Sequence, residues 1–256
     1  MTEREIIRLK VTESTNSVAL EMGRQGAPAG TVIVAGSQTV GRGRLNRHWI
    51  SPPDSGLYFS LILRPRLAPE NLPRITLAAG LAVCKAVEME CGVPPAIKWP
   101  NDLLLEGEKF GGILTETGPI QTESDTHPPL VVIGVGLNLQ APENGFPSEI
   151  SHRTTSLAEH VNETISAESL MQSSVVLIER EVQRLVQGDF SAVLQEWSQR
   201  DAVYGKDLAW VTQQGQIVTG VSLGPDEDGM LRIRDEQGDI HTVISGDINL
   251  VGKIDD

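Results

Sequence analysis

Ten consecutive residues, 130–139, read Leu-Val-Val-Ile-Gly-Val-Gly-Leu-Asn-Leu and are nearly all apolar. The run is too short to cross a bilayer, and a stretch of this length and composition reads as the central strand of a sheet. A central strand needs covering layers. Residues 71–91 read as a long, alanine-rich buried helix closed by Gly92 and Pro94-Pro95. Met171, Val175, Ile178, Val182 and Leu185 recur at 4-3-4-3 spacing, which predicts an amphipathic helix, and Phe190, Val193, Leu194 and Trp197 predict a shorter second one.

Shorter strands are expected at residues 6–11, 31–35, 57–63, 96–99, 103–105 and 111–116, with a helix over 18–24. Strands and helices alternate irregularly, so an α+β fold with a mixed sheet is favoured over a doubly wound one. A polar stretch, 117–129, holds Pro119, Pro128 and Pro129 and is the natural place for an insertion. Beyond residue 202 the texture changes to short strands at 207–213, 217–223, 230–234 and 240–244, parted by turn residues. These read as a small β-barrel or meander that packs on the larger unit. Two units are therefore expected, residues 1–202 and 203–256.

Several classes are excluded or disfavoured. The opening Met1-Thr2-Glu3-Arg4-Glu5 has no apolar segment behind it, so a cytoplasmic protein is expected. A net charge of -13 argues against general nucleic-acid binding. Cys84 and Cys91, the only cysteines, sit seven apart on one expected helix and offer neither a disulfide framework nor a metal site. The five histidines have no metal-ligand spacing. No P-loop motif occurs, and Gly134-Val135-Gly136 lacks the third glycine and following helix of a dinucleotide fingerprint.

Against that acidic background, the segment between Glu21 and Asp54 holds no carboxylate but contains Arg24, Arg42, Arg44 and Arg47. Its centre runs Gly41-Arg42-Gly43-Arg44-Leu45-Asn46-Arg47-His48-Trp49. Glycines let a backbone approach a ligand, and guanidinium forks match phosphate and carboxylate oxygens. An anion site is one reading; a solvated arginine loop is the other. Three further segments stand out. Ser14-Thr15-Asn16 either caps a helix or presents hydroxyl and amide groups to a ligand. Gln38 offers both donors and an acceptor, as a urea or amide requires. Lys98-Trp99-Pro100-Asn101-Asp102, followed by Lys109-Phe110-Gly111-Gly112-Ile113, places Lys109 and Asp102 across a turn between two short strands.

Taken together with Gly134-Val135-Gly136-Leu137-Asn138, these blocks resemble, in this order, the signature of the biotin–protein ligases. The resemblance covers roughly residues 5–200, and the β-rich tail is similar to the small SH3-like domain of that family. It implies an ATP-dependent enzyme that forms biotinyl-5′-AMP and transfers biotin to a lysine of a biotin carboxyl carrier protein. By the same resemblance, Lys109 bridges the biotin carboxylate and the α-phosphate, and Arg42, Arg44 and Arg47 close over the adenylate. Ser14, Thr15, Asn16 and Gln38 would recognise the ureido ring, with Arg42, Gly43, Arg44 and Gly112 also bordering biotin. Asp102 would bind or deprotonate the acceptor lysine. Trp49, Lys98, Asn101 and Asn138 fall on the nucleotide side. Mg²⁺ is expected with ATP, its ligands unknown.

Regulatory members of that family carry a DNA-binding helix-turn-helix ahead of this core. Here the first strand begins within ten residues of Met1, so a form lacking it is expected, as a monomer or homodimer with no membrane or nucleic-acid partner. Asn46 stands where the family often has glycine; asparagine is the other residue that best tolerates positive φ. Two alternatives share the same residues. One is a lipoate- or octanoate-handling acyltransferase of this fold, the other a non-catalytic biotin sensor.

Overall fold

The computed structural model describes residues 4–118, 128–211, 217–243 and 248–250. The chain runs β1 (Ile6–Thr12), α1 (Thr15–Arg24), β2 (Val32–Gln38), β3 (Gly56–Leu63), α2 (Arg74–Cys91), β4 (Ala96–Lys98), β5 (Asp102–Leu105), β6 (Glu108–Thr117) and β7 (Val131–Asn138). Three helices follow: the short α3 (Ser148–Ser151), α4 (Ala167–Val186) and α5 (Phe190–Ser198). The tail holds β8 (Asp207–Val211), β9 (Ile217–Pro225), β10 (Leu231–Arg234), β11 (Ile240–Val243) and β12 (Ile248–Leu250).

Seven strands form one sheet in the order β1-β2-β3-β7-β6-β5-β4. β1 and β2 are parallel and every other pair is antiparallel, which is the expected mixed sheet. Strand β7, the nearly all-apolar run, lies at its centre. Its odd residues, Val131, Ile133, Val135 and Leu137, join the core formed with α2 and α4. On the opposite face Val132 packs with Ile33, Ile62 and the α1 residues Ala19 and Leu20. Helix α1 covers only one end of that face. Beyond Val132 the same row continues as Gly134 and Gly136, and there the site is built.

Helix α2 begins at Arg74 rather than at residue 71, because the preceding turn at Pro69–Asn71 is a separate 3-10 turn and Pro73 occupies the N-cap position. It ends where Gly92 adopts φ 71, a left-handed cap that a side chain would resist. The 4-3-4-3 helix is α4, capped by Ser166 accepting from the Ser169 N–H.

The tail is an antiparallel sheet ordered β11-β10-β9-β8-β12. Leu208, Trp210, Leu231, Ile233 and Ile248 belong to the same hydrophobic cluster as α2 and α5, so the tail shares the main core. Trp99 Nε1 donates to the Gly229 carbonyl at 3.0 Å, and Arg74 reaches both Asp228 (2.6 Å) and the face of Phe190. Residues 119–127 of the expected insertion, the Gln214-Gly215 turn and the ends of two expected tail strands lie outside the described residues. Among the described residues no helix is long and apolar enough to cross a membrane.

Candidate active site

A cavity of about 1060 Å³ opens on the sheet face that α1 leaves uncovered. Every residue to which the resemblance gave a role lines it: Ser14, Thr15, Asn16, Gln38, Arg42, Gly43, Arg44, Arg47, Trp49, Lys98, Asn101, Asp102, Lys109, Gly112 and Asn138. They come from six separate stretches of chain.

The floor is a glycine-rich shelf bordered by Leu114. Gly112 of β6 pairs directly with Gly136 of β7, and Leu114 with Gly134. A Cβ on Gly136 would fall 2.6 Å from Trp49 Nε1, and one on Gly134 would fall 2.2 Å from Asn16 Oδ1. The Trp49 indole therefore reaches over β7 to β6, its close approach requiring glycine at 136, while Asn16 requires it at 134. The ring's Nε1 is buried with no hydrogen-bond partner. Lys109 Nζ lies 5.4 Å from the ring centroid, within cation–π range.

Lys109 reaches the cavity through a bulge. Along β6, Gly111 and Ile113 face the core, and strict alternation would send residue 109 the same way. The pairing with β5 instead shifts between Leu103 and Leu104: Gly111 opposes Leu103, but Lys109 opposes Leu104. Phe110 is the extra residue and is completely buried. The bulge thus turns a phenylalanine into the core and brings Lys109 onto the face of Asp102 and Gly112. There its ammonium meets Asp102 Oδ1 at 2.6 Å, with both side chains part-exposed.

Beside the shelf runs a hydrogen-bonded wall. Gln38 Oε1 accepts from the Thr15 N–H (2.9 Å) and lies 3.2 Å from Thr15 Oγ1, while Gln38 Nε2 donates to Ser51 Oγ (2.8 Å). Ser60 Oγ donates to Asn16 Oδ1 at 2.6 Å, and Asn16 Nδ2 donates to the Leu114 carbonyl and to Glu116 Oε2. The other Glu116 oxygen holds Arg42 at 2.5 Å. Both Asn16 N–H groups are thereby committed to protein partners while its Oδ1 keeps one acceptor site, and Gln38 retains one N–H for a ligand. Ser14 sits at the N-cap of α1, but its side chain makes no capping bond, so it remains available to the cavity.

The arginine loop folds back on itself through the Gly43 N–H to Arg47 carbonyl and Trp49 N–H to Gly41 carbonyl bonds. Its turn places Leu45 at φ 53 and Asn46 at φ 61. Asn46 occupies the left-handed conformation anticipated for it, whereas Leu45 adopts a geometry that a γ-branched side chain disfavours. Arg44 reaches Asn101 Oδ1 at 3.4 Å, and Asn101 is itself held by donating to the Ile113 carbonyl.

The structure thus brings all the anticipated residues together, but several are tied to one another. Arg42 is paired with Glu116, Asn16 and Asn101 are anchored, and Asn138 donates to the Thr155 carbonyl. Glu116 was legible in principle, since residues 112, 114 and 116 share one strand face. Arg153 and Lys206, which also line the cavity, come from segments with no local signal. The cysteines stand apart: both lie on α2, and burial pushes the Cys84 thiol up to about 12, so it is no thiolate nucleophile.

Residues 8–138 match the biotin/lipoate A/B protein ligase family. The chain is 35% identical over 240 residues to the bifunctional ligase/repressor BirA of Bacillus subtilis (strain 168), spanning 94% of this chain and 72% of that one. The chain belongs to the biotin/lipoate A/B protein ligase family. It is also 33% identical over 244 residues to the biotin–[acetyl-CoA-carboxylase] ligase of Mycobacterium tuberculosis, covering 93% and 85% of the two chains. Among solved structures, the biotin protein ligase from Aquifex aeolicus in complex with biotin and ATP superposes with a TM-score of 0.80 at 28% identity. That match covers 97% of this chain and 99% of the other, tail included. The mixed sheet with its small antiparallel tail is therefore the fold of this family's biotin ligases.

Proposed function

We infer that this protein is a biotin–protein ligase, joining biotin to ATP as biotinyl-5′-AMP and passing the acyl group to a lysine of a biotin carboxyl carrier domain. The observation that carries the reading is the convergence of all the signature blocks on one cavity, with the Lys109–Asp102 pair beside the arginine loop.

The chemistry requires such a gathering of cations. A carboxylate approaching the α-phosphate of ATP meets a repulsion of about 4 kcal/mol per unit charge at contact, for an effective dielectric near 20. Prepositioned cations offset it without reorganising at the moment of reaction. In this reading Lys109 turns from Asp102 to the reacting oxygens during adenylation, while Arg44 and Arg47 cover the phosphate. Asp102, released, then takes the proton of the incoming lysine ammonium, which cannot attack until it is neutral. The amine forms the amide bond to the biotinyl carbonyl as the bond to AMP breaks.

In this reading the Trp49 indole lifts from the Gly136 backbone that it covers, and the biotin alkyl chain packs against the strip so bared. Ser14, Thr15 and the remaining N–H of Gln38 then meet the ureido group, and Asn16, with both N–H groups committed, offers only its oxygen. Asn101 orients Arg44. Mg²⁺, if it accompanies ATP, would be carried by the phosphates and would neutralise part of their charge; among the described residues no group of three or more His, Cys, Asp or Glu could hold it alone.

Pyrophosphate release on mixing the protein with ATP and biotin, and with ATP and lipoate in parallel, tests the reading. Release with biotin alone, followed by a biotin-sized mass gain on a carrier domain, is expected. Release with lipoate only would reassign the protein to lipoate activation, and release with neither would make it a sensor.

A further inference from the structure

We propose that Ser51 is a positioning residue that ties Gln38, the reader of the biotin head group, to Trp49, the cover of the site. The coupling rests on the biotin reading given above and adds to it a residue outside the cavity.

The arginine loop leaves and rejoins the sheet through one residue pair. Gln38, the last residue of β2, donates its main-chain N–H to the Ser51 carbonyl at 3.0 Å, and the two residues form an isolated antiparallel bridge. Residues 39–50, between them, carry Arg42, Arg44, Arg47 and Trp49. Side chains join the same pair a second time. Gln38 Nε2 donates to Ser51 Oγ at 2.8 Å, and Ser51 Oγ donates to the Trp49 carbonyl at 3.2 Å. A hydroxyl has one proton to give, so with that proton on the Trp49 carbonyl Ser51 can only accept from Gln38. From the other side the Thr15 N–H, which can only donate, holds Gln38 Oε1 at 2.9 Å. The amide is thus fixed in one orientation, with its second N–H left for the ligand.

Ser51 makes these bonds from behind the site. Ile50 and Pro52 line the cavity, whereas Ser51 between them is buried and does not. Gly41, which opens the arginine motif, marks the same junction. A Cβ there would fall 2.2 Å from the Trp49 carbonyl oxygen, 2.7 Å from Ser51 Oγ and 3.2 Å from Gln38 Nε2. The three groups therefore meet over a position that only glycine can occupy. A ligand that engages Gln38 acts, through one hydroxyl, on the main chain of Trp49, whose indole covers Gly136. Head-group recognition and the placing of the cover share a single hinge atom.

The test uses the full chain and two measurements. One is pyrophosphate release with biotin and ATP; the other is the rate at which biotinyl-5′-AMP escapes when no carrier domain is present. The proteins are the parent, Ser51→Ala, Gln38→Ala, their double variant and Gly41→Ala. Ser51→Ala should raise half-saturation for biotin roughly fivefold, the effect of one ordinary hydrogen bond, and leave that for ATP within about twofold. It should also speed adenylate escape roughly fivefold. Added to Gln38→Ala, it should raise biotin half-saturation by less than about twofold more, since the amide it orients is gone. Escape should still quicken there, because the bond to Trp49 is lost in either background. Gly41→Ala opens the junction from beneath and should show the same biotin-selective loss, so it answers the question even if Ser51→Ala melts early.

Four results would overturn the proposal: an unmoved biotin half-saturation, equal losses for biotin and ATP, full additivity for biotin in the double variant, or adenylate escape from Ser51→Ala at the parent rate. Failure of the biotin reading looks different. There the parent itself would release no pyrophosphate with biotin, whatever the variants do.

Discussion

The two faces of the sheet use the same charged residue types to opposite ends. Behind the sheet, Glu181 of α4 is fully buried and receives both Lys85 Nζ (2.8 Å) and Arg184 (2.7 Å). Glu196 bridges the same two cations from α5, and Asp189 closes on Arg184. In the cavity, Lys109 and Asp102 form a single, part-exposed pair, and Arg42 has one carboxylate partner in Glu116. Partner number and burial separate the two regions. A carboxylate clamped by two cations out of water cannot exchange partners, because losing one leaves a desolvated charge. A part-exposed single pair is weakly held and can trade its partner for a ligand. One cluster joins three helices; the other, in the proposed reading, trades its partners for anionic ligands.

The comparison can be broken most forcefully from the buried side. Glu181→Ala is expected to cost about 3 kcal/mol of stability, since two cations lose a shared buried partner while each keeps another carboxylate. Urea denaturation measures it, and adenylation per folded molecule should not change. If stability is unaltered, the rear cluster is no more than solvated decoration.

Lys109→Ala should show the mirror image. Adenylate formation should fall roughly 10²-fold or more, in line with loss of an electrostatic stabiliser, with the melting temperature nearly unchanged. A variant that melts early and still adenylates would invert the assignment of the two regions.

A finer probe is Gly136→Ala, whose Cβ would press on the Trp49 indole. Biotin half-saturation should rise roughly tenfold, the range a single methyl group commands in a fitted pocket. Unchanged biotin affinity would mean that the glycine shelf is not the substrate floor.

The smallest effect belongs at the junction between α5 and the tail, where burial raises the Asp201 carboxyl above its ordinary value. Its Oδ1 accepts from the Val203 N–H, while its Oδ2 is buried without a partner. With the folded value raised, the unfolded chain ionises first, so ionisation destabilises the fold as pH climbs. Both states are protonated in acid, and the penalty disappears there. Asp201→Asn should therefore gain about 2 °C in Tm relative to the parent at neutral pH, with the gap closing below about pH 4. A pH-independent gap would point to packing instead.

Much of this architecture was legible in the chain. The nearly all-apolar run at 130–139 encodes its conformation in adjacent residues, and the 4-3-4-3 helix and the glycine-closed helix before residue 92 encode theirs in neighbours three or four positions away. Even the left-handed Asn46 could be anticipated, because φ preference is a property of one residue. The chemistry-bearing blocks were legible for a similar reason: glycines, arginines and a lysine–aspartate pair are costly where no ligand needs them.

What the chain could not disclose was everything measured across the sheet. Residue types alone set the need for cations, for small residues under an indole and for a hydrogen-bonded polar wall. Only the strand order β3-β7-β6-β5 decided that Gly112 would lie against Gly136 and that Glu116 would take Arg42. The bulge at Phe110 and the Asn138–Thr155 tie depend on register between segments that share no local pattern. Periodicity is written over a few residues by backbone geometry, whereas through-space pairing follows from how whole elements pack, and that information exists only once the chain has folded.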